Sequence, residues 1–387
     1  MLYNLLQATD DKLDRIGLYS LLQVLYQLEF RAFAAVLLSF GLVLLCGRPV
    51  IRWLMRQKIG DAPEFYRADL NQLMARKAAT PTMGGLLIVG SALLTTLLLA
   101  DLRNRYVTIT FFVLAVLAAV GGVDDWLKLT SARRGPGSRE GLYAWEKLLF
   151  QLGIGAVAGL FAHRHGAGST LTHVLTLPFQ RTYLPGTMEL EPGIVILGGG
   201  AFVLIAALLI AGTSNAVNLT DGMDGLAAGC SAVAAFTLMV LCFVAGNVET
   251  ARFLMFPFVH GAQELMMATA AMAGACLGFL WFNCAPAEVF MGDTGALPLG
   301  GLMGYIAVAI RQEILMLVIG GVFFMEMASV IFQVGFFKWT GGRRLFRCSP
   351  IHHHFHLAGW SEQQVVTRFW VLAAVCAMTA LVSLKLR

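Results

Sequence analysis

Charge is what this sequence has least of. Only 13% of its 387 residues are Asp, Glu, Lys or Arg, against 58% hydrophobic. That is too little polar surface to cover a soluble globule, so soluble fold classes are excluded and membrane spans of about 20 apolar residues become the unit of counting. Paired cysteine spacing is also missing. Cys46, Cys230, Cys242, Cys276, Cys284, Cys348 and Cys376 suggest neither a disulfide framework nor a CxxC zinc site. No linker, low-complexity run or internal repeat divides the chain, which reads as a single helical membrane domain over residues 1–387. Asp10, Asp11, Lys12, Asp14 and Arg15 precede the first apolar run, so the start does not read as a cleaved signal peptide.

What is present is a series of apolar runs. Ten spans are expected, over residues 28–48, 83–100, 106–123, 144–162, 194–213, 226–246, 265–283, 295–311, 314–337 and 366–385. The fold class is therefore all-α and polytopic, with about ten transmembrane helices. Lys and Arg favour the connections running from Arg48 to Lys77, from Lys128 to Lys147 and from Lys338 to Arg347. By the positive-inside rule that face is cytoplasmic and both termini lie outside. The net charge of +5 is concentrated there and reads mainly as topology and lipid-headgroup contact; nucleic acid is not implied. On the other face, residues 163–193 form the one sizeable connection. Mixed β-branched residues from Leu171 to Phe179 and the turn signal Pro185-Gly186 suggest a small external hairpin.

Four polar breaks share the positive face. Pro286 to Gly295 sets Asp293 among glycines, a hard oxygen ligand suited to Mg2+ beside backbone that can approach a phosphate closely. Asp124-Asp125-x-x-Lys128 places two carboxylates and a cation on neighbouring helical positions. The bland alternative is an exposed i,i+4 ion pair. Asn215, Asn218, Asp221 and Asp224 recur every three residues. They align amides and carboxylates on roughly one helical face, with Gly222 and Gly225 allowing close approach and a helix beginning near Gly225. The alternative is a polar helix end with Asp221 as its cap. His352-His353-His354-Phe355-His356 lies near Arg343, Arg344 and Arg347 and reads better as donors to a diphosphate or sugar than as a transition-metal site. Lys77, before Thr80 to Gly85, is a further cation at a span entrance. Glu326, well inside a span, marks either a transport path or a pairing within the bundle.

Taken together, Thr80 to Gly85, Asp124 to Lys128, Asn215 to Leu226, Trp281 to Gly295, Ser349 to Trp360 and Arg368-Phe369-Trp370 resemble one family. It is the phospho-N-acetylmuramoyl-pentapeptide transferases of bacterial peptidoglycan synthesis, within the polyprenyl-phosphate N-acetylhexosamine-1-phosphate transferases. The triple histidine favours the muramoyl-pentapeptide branch. His356, Ala296, Ala285 and the stretch Leu142 to Trp145 depart from the usual pattern.

The resemblance implies ten transmembrane helices in the bacterial inner membrane, cytoplasmic active-site loops and a homodimer. It implies Mg2+-dependent transfer of phospho-MurNAc-pentapeptide from UDP-MurNAc-pentapeptide to undecaprenyl phosphate, giving lipid I and UMP. Asp124, Asp125 and Asp293 look like the catalytic carboxylates, with Asp293 the Mg2+ ligand. Lys128 and the histidines, His353 among them, would supply positive charge to the phosphates. Lys77, Asn218, Asp221, Gly222, Met223, Asp224, Asn283 and Phe290 resemble the nucleoside-binding set, with Phe290 stacked on uracil. His352, His353 and His354 resemble the loop that contacts the sugar-diphosphate region. The nearest rival is a GlcNAc-1-phosphate transferase acting on the same lipid; a secondary transporter is the rival of another class.

Overall fold

Away from water, an apolar run can satisfy its own backbone only as a helix, because each N–H finds the carbonyl four residues back. The computed structural model describes residues 1–15, 22–57, 80–134, 141–166, 168–184, 187 and 189–386, apart from the side chains of residues 10–13 and 131–134. In chain order the helices are α1 (Leu2–Arg15), α2 (Leu28–Arg56), α3 (Gly85–Leu99), α4 (Arg105–Arg134), α5 (Ala144–His165), α6 (Gly199–Thr220) and α7 (Leu226–Gly246). They continue with α8 (Val248–Phe253), α9 (Leu265–Asn283), α10 (Asp293–Ala309), α11 (Glu313–Ile319), α12 (Gly321–Trp339), α13 (Ile351–Leu357) and α14 (Glu362–Lys385).

Eight of the described helices are long and apolar enough to cross a membrane. They fall on eight of the ten expected spans, and α3 and α10 fall on the other two. The chain is thus an all-α, multi-pass membrane protein. Its boundaries differ from the sequence expectation in informative places. Helix α2 continues through Pro49 to Arg56, and α4 runs on to Arg134, so Asp124, Asp125 and Lys128 stay helical. Residues 314–337 are divided at Gly320 into α11 and α12.

Helices α9 and α10 form the centre. Every residue of α10 is buried, and α9 packs on α2, α3 and α7 while α10 packs on α4 and α6. Apolar attraction does not drive such packing in lipid; small residues that let backbones meet do. A Cβ added at Gly274 of α9 would lie 2.1 Å from the Val36 carbonyl oxygen of α2.

The expected hairpin is present: β1 (Val174–Leu175) pairs antiparallel with β2 (Val195–Ile196), and Tyr183 bridges Leu190. Because 195–196 pair with 174–175, α6 starts at Gly199 and not at 194. The Pro185-Gly186 turn lies outside the described residues. The hairpin is tied to the bundle through Thr176, whose hydroxyl donates to the Arg311 carbonyl and accepts from Gln312 Nε2 at 3.0 Å. All four polar motifs lie at the opposite end, where α4, α6 and α9 finish and α5, α7, α10 and α14 begin.

This two-ended arrangement is directly testable in a cysteine-free background. Glu189→Cys sits at the hairpin end and Glu288→Cys at the motif end, and both positions are exposed. With the orientation expected from the Lys and Arg distribution, a membrane-impermeant thiol reagent added to intact cells labels Glu189→Cys and leaves Glu288→Cys unlabelled until the membrane is opened. The reverse pattern would invert the topology.

Candidate active site

Two glycines bring the carboxylates together. A Cβ at Gly121 of α4 would fall 2.1 Å from the Asp293 carbonyl oxygen, and one at Gly85 of α3 2.1 Å from the Gly295 nitrogen. Both helices therefore meet the first turn of α10 backbone to backbone. Gly121 lies one turn before Asp124-Asp125, so the same close crossing delivers that pair to the start of α10.

Helix α10 has no side-chain cap from Gly292, its own N-cap residue. Asp125 fills that role from α4. Its Oδ1 accepts from the Asp293 N–H at 3.2 Å, and its Oδ2 accepts from the Thr294 N–H at 2.9 Å and the Thr294 hydroxyl at 2.6 Å. A carboxylate on otherwise unpaired N-terminal N–H groups is also favoured by the helix dipole.

Asp124 is fully buried. Its Oδ1 accepts from the Leu142 N–H at 2.7 Å, while its Oδ2 lies 2.7 Å from Lys128 Nζ and 2.8 Å from Lys147 Nζ. Lys147 also reaches Asp293 Oδ2 at 2.6 Å, with Lys128 at 3.5 Å. Two ammonium groups thus bridge two carboxylates. This is not the exposed i,i+4 pair that the sequence left open.

Asp124, Asp125 and Asp293 each offer an oxygen, and these atoms lie within 4.8 Å of one another. A donor set made only of carboxylate oxygens, with three negative charges against two lysines, fits a hard divalent cation. The expectation named Asp293 as metal ligand; the geometry puts Asp124 and Asp125 within reach of the same ion.

The second motif departs from the expected single helical face. Helix α6 ends at Thr220, Asp221 is its C-cap and residues 222–225 form a turn, with Gly225 at φ +80° leading into α7. The three-residue recurrence straddles a helix end. Asn215 faces the bundle, donating to Gln151 Oε1 at 2.6 Å, and Asn218 accepts the Asp221 N–H at its carbonyl. Asp221 Oδ2 accepts from the Gly292 N–H at 3.2 Å, which ties this turn to the start of α10. Loss of solvent and the neighbouring Asp293 carboxylate push the Asp221 carboxyl up to about 7.

Met223 is buried, and Asp224 accepts from the Ala287 N–H at 3.1 Å while its own N–H donates to Glu362 Oε1 at 3.0 Å. Asn283 holds backbone with both ends of its amide: Oδ1 accepts from the Gly225 N–H at 3.0 Å and Nδ2 donates to the Val289 carbonyl at 2.8 Å. Half-buried Phe290 is fixed by backbone bonds to Pro81 and Gly84, each 2.8 Å.

The histidines lie on the short helix α13. His352 and His353 are buried, and His354 is half-buried and accepts the Arg347 N–H at Nδ1, 3.1 Å away. His352 packs against Gly222, so the third and fourth motifs meet. Glu326, whose two readings the sequence left open, pairs within the bundle with His352. Lys77 lies outside the described residues.

Lys147 is the main residue that sequence reasoning missed. It was counted among the topological charges, and the signal that could have found it is its place one turn into a span, opposite the Asp124 helix end. Thr294 and Glu362, which hold Asp125 and the Asp224 backbone, were also passed over.

The family model for glycosyl transferase family 4 matches residues 107–311. Over 367 residues the chain is 42% identical to the phospho-N-acetylmuramoyl-pentapeptide-transferase of Oleidesulfovibrio alaskensis, covering 95% of this chain and 96% of that protein. It is 41% identical to the enzyme of the same name from Desulfosudis oleivorans and 39% identical to that from Thermodesulfovibrio yellowstonii, each over 387 residues and the whole of both chains.

Asp125→Asn and Asp293→Asn make the same change of charge but should differ in stability. Either leaves two carboxylates against two lysines. Asn at 125 can no longer accept all three bonds from α10, so thermal unfolding in detergent should show a loss of about 2 kcal/mol. Asp293→Asn removes one of three crowded carboxylates and should unfold within about 0.5 kcal/mol of the parent. Both should lose activity on the order of a hundredfold or more. Equal loss of stability in the two variants would refute the capping role of Asp125.

Proposed function

Because the chain belongs to the phospho-N-acetylmuramoyl-pentapeptide transferase family, we propose that it is the phosphotransferase its relatives are named for. It moves phospho-MurNAc-pentapeptide from UDP-MurNAc-pentapeptide to undecaprenyl phosphate and forms lipid I and UMP. The observation that carries the reading is the pair of lysines bridging Asp124 and Asp293 beside the Asp221–Gly222 turn. It provides carboxylate, ammonium and close-approach backbone where a nucleoside diphosphate and a lipid phosphate can meet. The chain acts as one catalytic unit, a homodimer in the bacterial inner membrane, with this end facing the cytoplasm and its nucleotide sugars.

Asp124, Asp125 and Asp293 would hold Mg2+, which when bound supplies charge neutralisation and orientation for phosphate oxygens. The chain's own groups do the rest. Lys128 and Lys147 draw the diphosphate toward the carboxylates and offset the charge that spreads over its oxygens in transfer. Asn218, Asp221, Gly222, Met223 and Asp224, together with Lys77, make up the nucleoside side of the site, and Phe290 stacks on the base. Asn283 contributes by holding the Gly225 and Val289 backbone. The histidine helix faces the sugar-diphosphate region.

An oxygen of the lipid phosphate attacks the β-phosphorus, forming the new P–O bond. The bond from that phosphorus to the bridging oxygen breaks, and UMP leaves with its electron pair. A phosphate monoester has its second pKa near about 6, so the acceptor is already largely dianionic at neutral pH. Asp124 then acts by orienting the acceptor and the lysines, with little proton to remove. A covalent phospho-enzyme would ease no evident difficulty.

Purified protein given Mg2+, polyprenyl phosphate and each UDP-sugar in turn should release UMP and a lipid-linked sugar with UDP-MurNAc-pentapeptide and not with UDP-GlcNAc. Turnover of UDP-GlcNAc alone would move the assignment to the rival branch. With lipid phosphate rigorously removed, labelled UMP should not exchange into the UDP-sugar; exchange would show a two-step route.

Phe290→Ala should weaken UDP-sugar binding by roughly 1 to 3 kcal/mol, the worth of a base stack. The KM for lipid phosphate should be unchanged, whereas a matching rise would make Phe290 a packing residue.

A further inference from the structure

Glu326 is fully buried in the interior of α12, and a carboxylate in a membrane span is costly unless it has work to do. Its two oxygens face one residue. Oε1 lies 3.1 Å from His352 Nδ1, and Oε2 lies 3.4 Å from the His352 backbone nitrogen. The carboxylate thus touches both the ring and the backbone of His352, and this contact, not a hydrogen bond at Nδ1, sets where the imidazole sits. The opposite edge of the ring is then determined. Nε2 is buried, has no hydrogen-bond partner among the described residues, and lies 2.4 Å from where a Cβ on Gly222 would be. Gly222 follows Asp221, whose carboxylate accepts from Gly292, the residue before Asp293. A contiguous line of contacts thus runs from the interior of α12 to the nucleotide turn and the carboxylate cluster.

We propose that Glu326 is a positioning residue for the donor nucleotide: through His352 it presses the imidazole against Gly222 and sets the Asp221–Gly222 turn. On this reading His352 supports the turn from behind and does not touch substrate. The inference rests on the reading of that turn as part of the nucleoside site.

Glu326→Gln tests it closely. A glutamine has one oxygen where the carboxylate has two, so it cannot present an acceptor to both the ring and the His352 N–H, and the ring is freed to move away from Gly222. His352→Asn is the second variant. Its amide nitrogen can stand near the Nδ1 position and keep the contact with Glu326, while the edge that meets Gly222 is gone. Gly222→Ala serves as the reference, since its added Cβ collides with the ring.

The measurements are KM for UDP-sugar, KM for polyprenyl phosphate and the melting temperature in detergent for each variant and for the Glu326→Gln/His352→Asn pair. Glu326→Gln should raise the donor KM about tenfold and leave the acceptor KM within about twofold and the melting temperature within a few degrees. Added to His352→Asn, it should change the donor KM by less than about twofold. Effects that multiply in the double variant, or activity lost in step with melting temperature, overturn the positioning role. If Gly222→Ala raises the donor KM but Glu326→Gln does not, this inference fails and the nucleotide site stands. If Gly222→Ala leaves the donor KM unchanged, the reading of the turn fails and takes this inference with it.

Discussion

The site depends on one electrostatic constraint: carboxylates on α4 and α10 are held at the mouth of a low-dielectric bundle, and two lysines make that tolerable. Asp124 is fully buried, and without Lys128 and Lys147 its charge beside Asp293 would meet repulsion and loss of water together. Withdrawing the ammonium groups would leave Asp124 buried and uncompensated, the case in which breaking a buried ion pair is costly. The arrangement is therefore a strong selector of geometry. Helices α4, α5 and α10 must come to one point, because only there does each charge find its opposite.

That convergence is made possible by what the helices lack at their crossing points. Gly121 and Gly85 allow backbone contact with α10, and neither position would admit even a methyl group without displacing a helix. Asp125 then finishes the job as a cap supplied from another helix. Close packing and charge pairing act in series here. The glycines set the distance and the carboxylates use it.

Much of this was legible in the sequence. Spans of about 20 apolar residues located the eight described helices long and apolar enough to cross a membrane, with α3 and α10 besides, and polar residues stranded at their ends located the motifs. What the sequence could not convey was direction. Lys147 and the topological lysines look alike in one dimension, and only the placement of α5 turns Lys147 toward Asp124 and Asp293. The recurrence from Asn215 to Asp224 suggested one helical face, but periodicity cannot say where a helix stops, and α6 stops at Thr220 with Asp221 as its C-cap, the alternative the sequence had left open. Asn283 was placed in the nucleoside-binding set by the family resemblance; in the fold its amide is occupied by backbone on both sides. Glu326 was ambiguous because its partner His352 lies on a different helix.

The distribution of charge through the bundle also separates a transferase from a transporter. A transporter needs polar or ionisable groups near mid-membrane between broken helices. Here the two central helices carry no charged residue between Leu265 and Asn283 or between Thr294 and Ala309. The ionisable groups gather at the two ends, with Arg311 and Glu313 near the hairpin and the carboxylate-lysine cluster at the other. Glu326, inside α12, is paired toward the cluster end through His352. Among the described residues the apolar middle separates these ends. That suits chemistry carried out on one face of the membrane, with a lipid acceptor entering from the side.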